Sequence, residues 1–158
     1  MGHSVGAHLV AALFSNFINT LSYEEQALIK TVFLSCGLYD LTPLIQTIIN
    51  QGLKLTEDTA RLLSPQHMNI ISPVHVGFHV IAAENESPAL LEQAQAFYDK
   101  LKKNKINAKY TLLKDEDHFS AIEKIVDENF EVTQLVIKAT AQVWFVESKR
   151  GFKKVPLK

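Results

Sequence analysis

Gly2-His3-Ser4-Val5-Gly6 opens the chain and runs directly into Ala7-His8-Leu9-Val10-Ala11-Ala12-Leu13-Phe14. The first five residues form a G-x-S-x-G pattern, and the next eight are apolar and helix-forming. Together they predict a strand that turns sharply into a helix, with Ser4 on the turn. Small residues two before and two after Ser4 let the backbone pass close by. The positive end of the helix then faces the seryl oxygen. The competing reading of the same residues is a helix start with Ser4 as N-cap between two loop glycines.

The chain around this stretch has 158 residues, enough for one domain with a core. Apolar residues make up 47% and charged residues 21%, the balance of a globular protein. A net charge of -1 gives no electrostatic case for nucleic acid or an anionic membrane as partner. The single cysteine, Cys36, excludes an internal disulfide and a cysteine zinc cluster. Cys36 lies in an apolar run and reads as a buried, inert thiol. No run is long enough for a transmembrane helix and no signal peptide is read, so the expected location is soluble and cytoplasmic.

Outward from the opening stretch, residues 4–20 read as one helix, with Leu9, Leu13, Phe14 and Phe17 at helical spacing. Ser22-Tyr23-Glu24-Glu25 is a capping-box signature for a second helix. Thr31 to Cys36 is a short apolar run before Gly37, hence a buried strand. Residues 42–49 look helical, with Pro43 at the first helical position. Gly52 interrupts, and Thr56 caps a short helix through Leu63. Val76 to Ala83 is the next strand. Ser87-Pro88 opens a helix to Lys103 with Leu90, Ala94, Phe97 and Leu101 on one face. Ala108 to Leu113 is a third strand. A turn of helix ending at Val126 comes after Asp117-His118-Phe119. Asp127 is expected to cap a final helix with the stripe Val132, Leu135, Ala139, Val143 and Val146. The tail 149–158 is basic and frayed.

Strands alternating with amphipathic helices predict a parallel sheet covered on both faces, its active groups beyond the carboxyl ends of the strands. After each strand stands a chemically useful residue. Ser4 comes first, then Glu84 and Glu86, then Asp115, Asp117 and His118. Nucleophile, acid, histidine is the chain order of the α/β-hydrolase triad. A serine hydroxyl needs a base to take its proton, and a neutral imidazole suits that task near pH 7. Of the six histidines only His118 stands on a loop after a late strand, so it is the candidate base; otherwise it is a loop or capping histidine. Glu86 is the preferred acid and Glu84 its rival. The backbone N–H of Val5 is the candidate oxyanion donor, and no Gly-Gly pair supplies a second. No H-E-x-x-H occurs, and His75 and His79 fall on a strand, so no metal and no cofactor are expected.

Blocks beyond the opening motif carry a resemblance. Gly2 to Leu9, Gly37-Leu38-Tyr39-Asp40-Leu41, Ser64-Pro65, Glu86-Ser87-Pro88 with Gln93 and Phe97, and Asp117-His118-Phe119 with Ile122-Glu123 occur in the order seen in arylformamidases (kynurenine formamidases). The chain resembles that family from residue 2 to about residue 145. The resemblance implies an α/β-hydrolase fold and hydrolysis of a small molecule, N-formyl-L-kynurenine, to L-kynurenine and formate in tryptophan catabolism. It carries the nucleophile to Ser4, the acid to Glu86 and the base to His118. Glu86 stands where the vertebrate-type pattern has Asp. The family's N-terminal half, with its His-Gly-Gly-type loop, is not matched. Residues 1–148 are therefore expected to form the C-terminal part of a truncated hydrolase domain, with about three strands. Activity is expected to be weak or absent, and strand pairing at the exposed sheet edge allows a homodimer. A carboxylesterase of the same fold and a non-catalytic remnant are the alternatives.

Overall fold

A computed structural model describes residues 1–15 and 17–149. The chain divides into two units, Met1–Ile122 and Glu123–Lys158. The first is built on four parallel strands in the order of the sequence: β1 (Gly2–His3), β2 (Thr31–Ser35), β3 (Gly77–Ala83) and β4 (Ala108–Leu113). Three of these match the expected strands to within a residue. The strand expected ahead of the Ser4 turn is only the two-residue β1, a fourth beside the three counted from the sequence; it exists because Gly2 and His3 lie in register with Leu34 and Ser35. A pair that short has no periodicity of its own, and its partner supplies its structure.

Helix α1 (Val5–Leu13) comes after β1, and α2 (Tyr23–Leu28) precedes β2. The single helix expected over 4–20 is shorter. Ser15 Oγ donates to the Ala12 carbonyl at 2.6 Å, and a 3₁₀ turn forms at Phe17–Thr20. The buried face of this segment is Ala7, Ala11, Phe14 and Ile18, whereas Leu9 and Phe17 are exposed. Small residues win the inner face because they let α1 approach the sheet closely. At Ser22 the capping box forms with Glu25 as the sequence predicts.

Between β2 and β3 the expected helix over 42–49 is a 3₁₀ turn, Thr42–Gln46. Gly52 sits inside the short α3 (Asn50–Leu53) rather than interrupting a helix. Lys54, left-handed at φ 52°, ends α3. Thr56 then caps α4 (Glu57–Leu63), sharing hydrogen bonds with Thr59. Helix α5 (Pro88–Lys103) buries Ala94, Phe97 and Leu101. Alternate strand residues Val32, Leu34, Phe78, Val80 and Ala82 meet α1 and α5 in one core. Phe14 packs edge-on against Phe78, and Tyr39 stacks on Phe97 at 4.2 Å.

The short α6 (Ser120–Glu123) runs across the division between units. In the second unit a 3₁₀ turn, Lys124–Val126, precedes α7 (Glu131–Lys149). Asp127 does not cap α7. Its carboxylate accepts the Asn129 N–H at 2.8 Å, and the helical ladder starts at the Phe130 carbonyl. The expected stripe positions Val143 and Val146, by their side chains, and the basic tail from residue 150 lie outside the described residues. Among the described residues no helix is long and apolar enough to cross a membrane.

Candidate active site

The turn at Ser4 is built by its neighbours. Ser4 N donates to Ser35 O at 2.9 Å, which ties the end of β1 to β2. The Ser4 carbonyl accepts the Ala7 and His8 amides, which starts α1. Between these anchors Ser4 is held at φ 54°, ψ -121°, a conformation side chains rarely adopt. The glycine at position 2 has a steric reason. A Cβ there would lie 2.3 Å from the Gly6 carbonyl oxygen and 2.7 Å from Ala7 N. Gly6 differs: an added Cβ would meet nothing within 4 Å, so the expected need for a small residue there does not hold in this chain. The Ser4 side chain makes no N-cap bond. Its hydroxyl points elsewhere.

It points to His118. Ser4 Oγ lies 3.1 Å from His118 Nε2, and His118 Nδ1 lies 2.5 Å from Glu86 Oε1. The three residues come from turns beyond β1, β3 and β4, all at the carboxyl ends of the strands. The turns that carry Glu86 and His118 are laced together. Glu84 N donates to Leu113 O, and Asn85 N to Glu116 O, each at 2.9 Å. The His118 turn is shaped by Asp117, whose carboxylate accepts the Phe119 and Ser120 amides at 2.8 Å each. Those backbone hydrogen bonds, from Ser120 and Phe119, hold the Asp117 carboxyl below its ordinary value.

The rival carboxylate goes another way. Glu84 is engaged by Lys114 and by Asp115 N, on the surface. Hydrogen bonds from Lys114 and Asp115 lower its pKa, and nothing directs it to His118. The Glu86 side chain, by contrast, is 1% exposed, and its second oxygen, Oε2, is buried with no N–H or O–H donor. Val5 is the first residue of α1, so its N–H is one of the amides a helix start leaves open beside the seryl oxygen.

Two neighbours of the site were not read from the sequence. The His3 ring centroid lies 4.8 Å from that of His118, and His3 Nδ1 lies 3.3 Å from Ser35 Oγ. Burial, with His118 adding to it, lowers the His3 imidazole below its ordinary pKa. Cys36, buried as expected, sits at φ 50° directly after β2, and its thiol faces the Glu86–His118 pair. Burial, with the Glu86 charge adding to it, pushes the thiol up to about 12. The loop behind Cys36 is held by Gln93, whose side-chain oxygen accepts both Tyr39 N and Asp40 N at 2.9 Å. His8 Nδ1–H reaches Leu38 O at 3.1 Å. His67 stands by Asp40, and His75 reaches the Ile29 carbonyl, both away from Ser4. Adjacency in space, not in sequence, would have been needed to find these.

A four-stranded parallel sheet with a strand-turn-helix serine, and with an acid and a histidine on later turns, is the α/β-hydrolase fold. Solved structures agree. A candidate thioesterase from Silicibacter sp. tm1040 superposes with a TM-score of 0.66 at 28% identity, over 83% of this chain and 47% of that one. A carboxylesterase from Lactobacillus plantarum, 17% identical, shares the fold at a TM-score of 0.59 over 97% of this chain and 59% of its own. In sequence the chain is similar to kynurenine formamidase of Danio rerio, 36% identical over 140 residues, which is 87% of this chain and 47% of that protein. The resemblance read from the motifs is therefore borne out by homologues of that name, and the chain spans about half the length of the curated relatives it matches. No family model matches it.

Proposed function

We propose that the chain carries the reacting half of an arylformamidase-type serine hydrolase, with Ser4 as nucleophile, His118 as general base and Glu86 as the acid that orients it. The observation that carries this reading is the continuous line from Ser4 Oγ to His118 Nε2 and from His118 Nδ1 to Glu86 Oε1. His118 accepts the Ser4 proton at Nε2 as Ser4 Oγ attacks the formyl carbon of N-formyl-L-kynurenine. Glu86 accepts the Nδ1–H, fixes the tautomer and stabilises the imidazolium. The Val5 N–H receives the developing oxyanion. His118 then returns the proton to the arylamine nitrogen as the C–N bond breaks and L-kynurenine leaves. Water, deprotonated by His118, then attacks the formyl-serine; His118 returns that proton to Ser4 Oγ as the ester C–O bond breaks and formate leaves.

The Val5 N–H is one oxyanion donor, and removing one such donor costs about 10²–10³ in turnover. The substrate is a small molecule, and a chain with one buried cysteine suits the reducing cytoplasm. The test is formate release by the purified chain from N-formyl-L-kynurenine and from a panel of short acyl esters, beside Ser4→Ala. Slow formamide cleavage that is lost in Ser4→Ala supports the reading. Ester cleavage without formamide cleavage replaces the substrate class, and rates equal in the chain and in Ser4→Ala refute the nucleophile.

A further inference from the structure

Cys36 plays no part in the chemistry above, yet it is placed against it. Its Sγ, a carboxylate oxygen of Glu86 and a ring nitrogen of His118 all lie within 4.8 Å of one another. Glu86 Oε2 has no N–H or O–H donor although the side chain is 1% exposed. The neighbouring Cys36 thiol is a weak donor and repays little of the desolvation of that buried carboxylate. We propose that Cys36, Glu86 and His118 form a capture site for a thiophilic divalent cation such as Zn²⁺, and that capture disables the base.

The donor set supports this. Thiolate, imidazole and carboxylate are the three ligand types that zinc takes from proteins, at about 2.0–2.3 Å each. Ligand atoms around a tetrahedral zinc then stand about 3.5 Å apart, so closure from 4.8 Å needs side-chain shifts of about 1 Å. A cation would also give Glu86 Oε2 a stronger partner than a thiol. The protons balance. Cys36 gives its thiol proton to solvent and binds as thiolate. The imidazole proton moves from Nδ1 to Nε2, and Nδ1, the nitrogen facing Glu86, binds the metal. Nε2 then carries a proton and donates to Ser4 Oγ where it formerly accepted. No electron changes hands, and one proton is released per metal bound. Access is from the His118 side, where the ring is 26% exposed.

The capture site goes beyond the hydrolase reading and is tested apart from it. Co²⁺, which reports thiolate ligation by a charge-transfer band, is titrated into the full chain. The expected result is a band that saturates at one metal per chain, disappears on adding Zn²⁺, and is absent in Cys36→Ser and Cys36→Ala. Glu86→Gln weakens Co²⁺ binding by at least about 10–100-fold, the range commanded even by groups that only support a ligand. In parallel, Zn²⁺ slows fluorophosphonate labelling of Ser4 in the natural chain and not in Cys36→Ala. Absence of the band from the folded natural chain overturns the proposal, as does equal Zn²⁺ sensitivity in Cys36→Ala. The cobalt band requires no turnover, so it decides the matter even if Ser4 proves unreactive or a Cys36 variant fails to fold.

Discussion

Replacing Ser4 by glycine should make the chain more stable than replacing it by alanine. Ser4 is held at φ 54°, ψ -121°, where a Cβ crowds the flanking backbone and glycine does not. Residues in such regions cost about 1–3 kcal/mol. Ser4→Ala keeps the Cβ and removes only the hydroxyl with its 3.1 Å contact to His118, so it is the reference. Ser4→Gly loses the same contact and also the strain, less about 0.4–1 kcal/mol for the freer unfolded chain. The net gain of glycine over alanine is therefore about 0.5–2 kcal/mol. For a chain of this size that is a rise in melting midpoint of about 1–8 °C. Urea unfolding of the two variants should show equal slopes and a higher midpoint for Ser4→Gly. A Ser4→Gly protein no more stable than Ser4→Ala would refute the idea that the turn holds its serine under strain.

The two glycines of the motif should respond oppositely. Gly2→Ala places a Cβ 2.3 Å from backbone and should destabilise by about 1–3 kcal/mol in urea unfolding. Gly6→Ala, in a helix and facing open space, should be neutral or stabilising by up to about 1 kcal/mol. Glu86→Gln should slow fluorophosphonate labelling of Ser4 by about 10⁴, the loss seen when a triad carboxylate becomes an amide. Glu84→Gln, which breaks only a surface pair with Lys114, should leave labelling unchanged. His79 lies in β3 with burial, and then Lys109, holding its imidazole below 6.5. Because its folded value is lowered, the unfolded chain takes up the proton first, and stability falls as pH drops below 6.5 towards the folded value. His3 and His8, lowered chiefly by burial, add to the same slope. His79→Phe keeps the stacking on Phe33 and should flatten its share of that loss, read as urea midpoints on either side of 6.5.

Much of this architecture was legible in the sequence because its signals are local. β2, β3 and β4 announce themselves as short apolar runs between turn residues, and Ser22 and Thr56 as caps with partners three residues on. Ser4, Glu86 and His118 could be nominated from their places just past the strand ends, and the structure brings those three side chains together. What escaped depends on distant partners. β1 is a strand only because Leu34 and Ser35 lie beside it. The inner face of α1 is marked by Ala7 and Ala11, whose small side chains carry little hydropathy signal, while the more apolar Leu9 points outward. Cys36 reads as an ordinary buried thiol, and only the folded sheet sets it beside Glu86 and His118. Asp127 has the composition of a cap but spends its carboxylate on the Asn129 turn.

The most direct test of the central claim is to treat the purified chain with a fluorophosphonate at neutral pH and map the adduct by peptide mass. The account predicts phosphonylation of Ser4, with a sharp loss of rate in His118→Ala and none in His75→Ala, whose imidazole bonds a distant carbonyl. A chain that stays unmodified while folded, or that is labelled equally with and without His118, would contradict it.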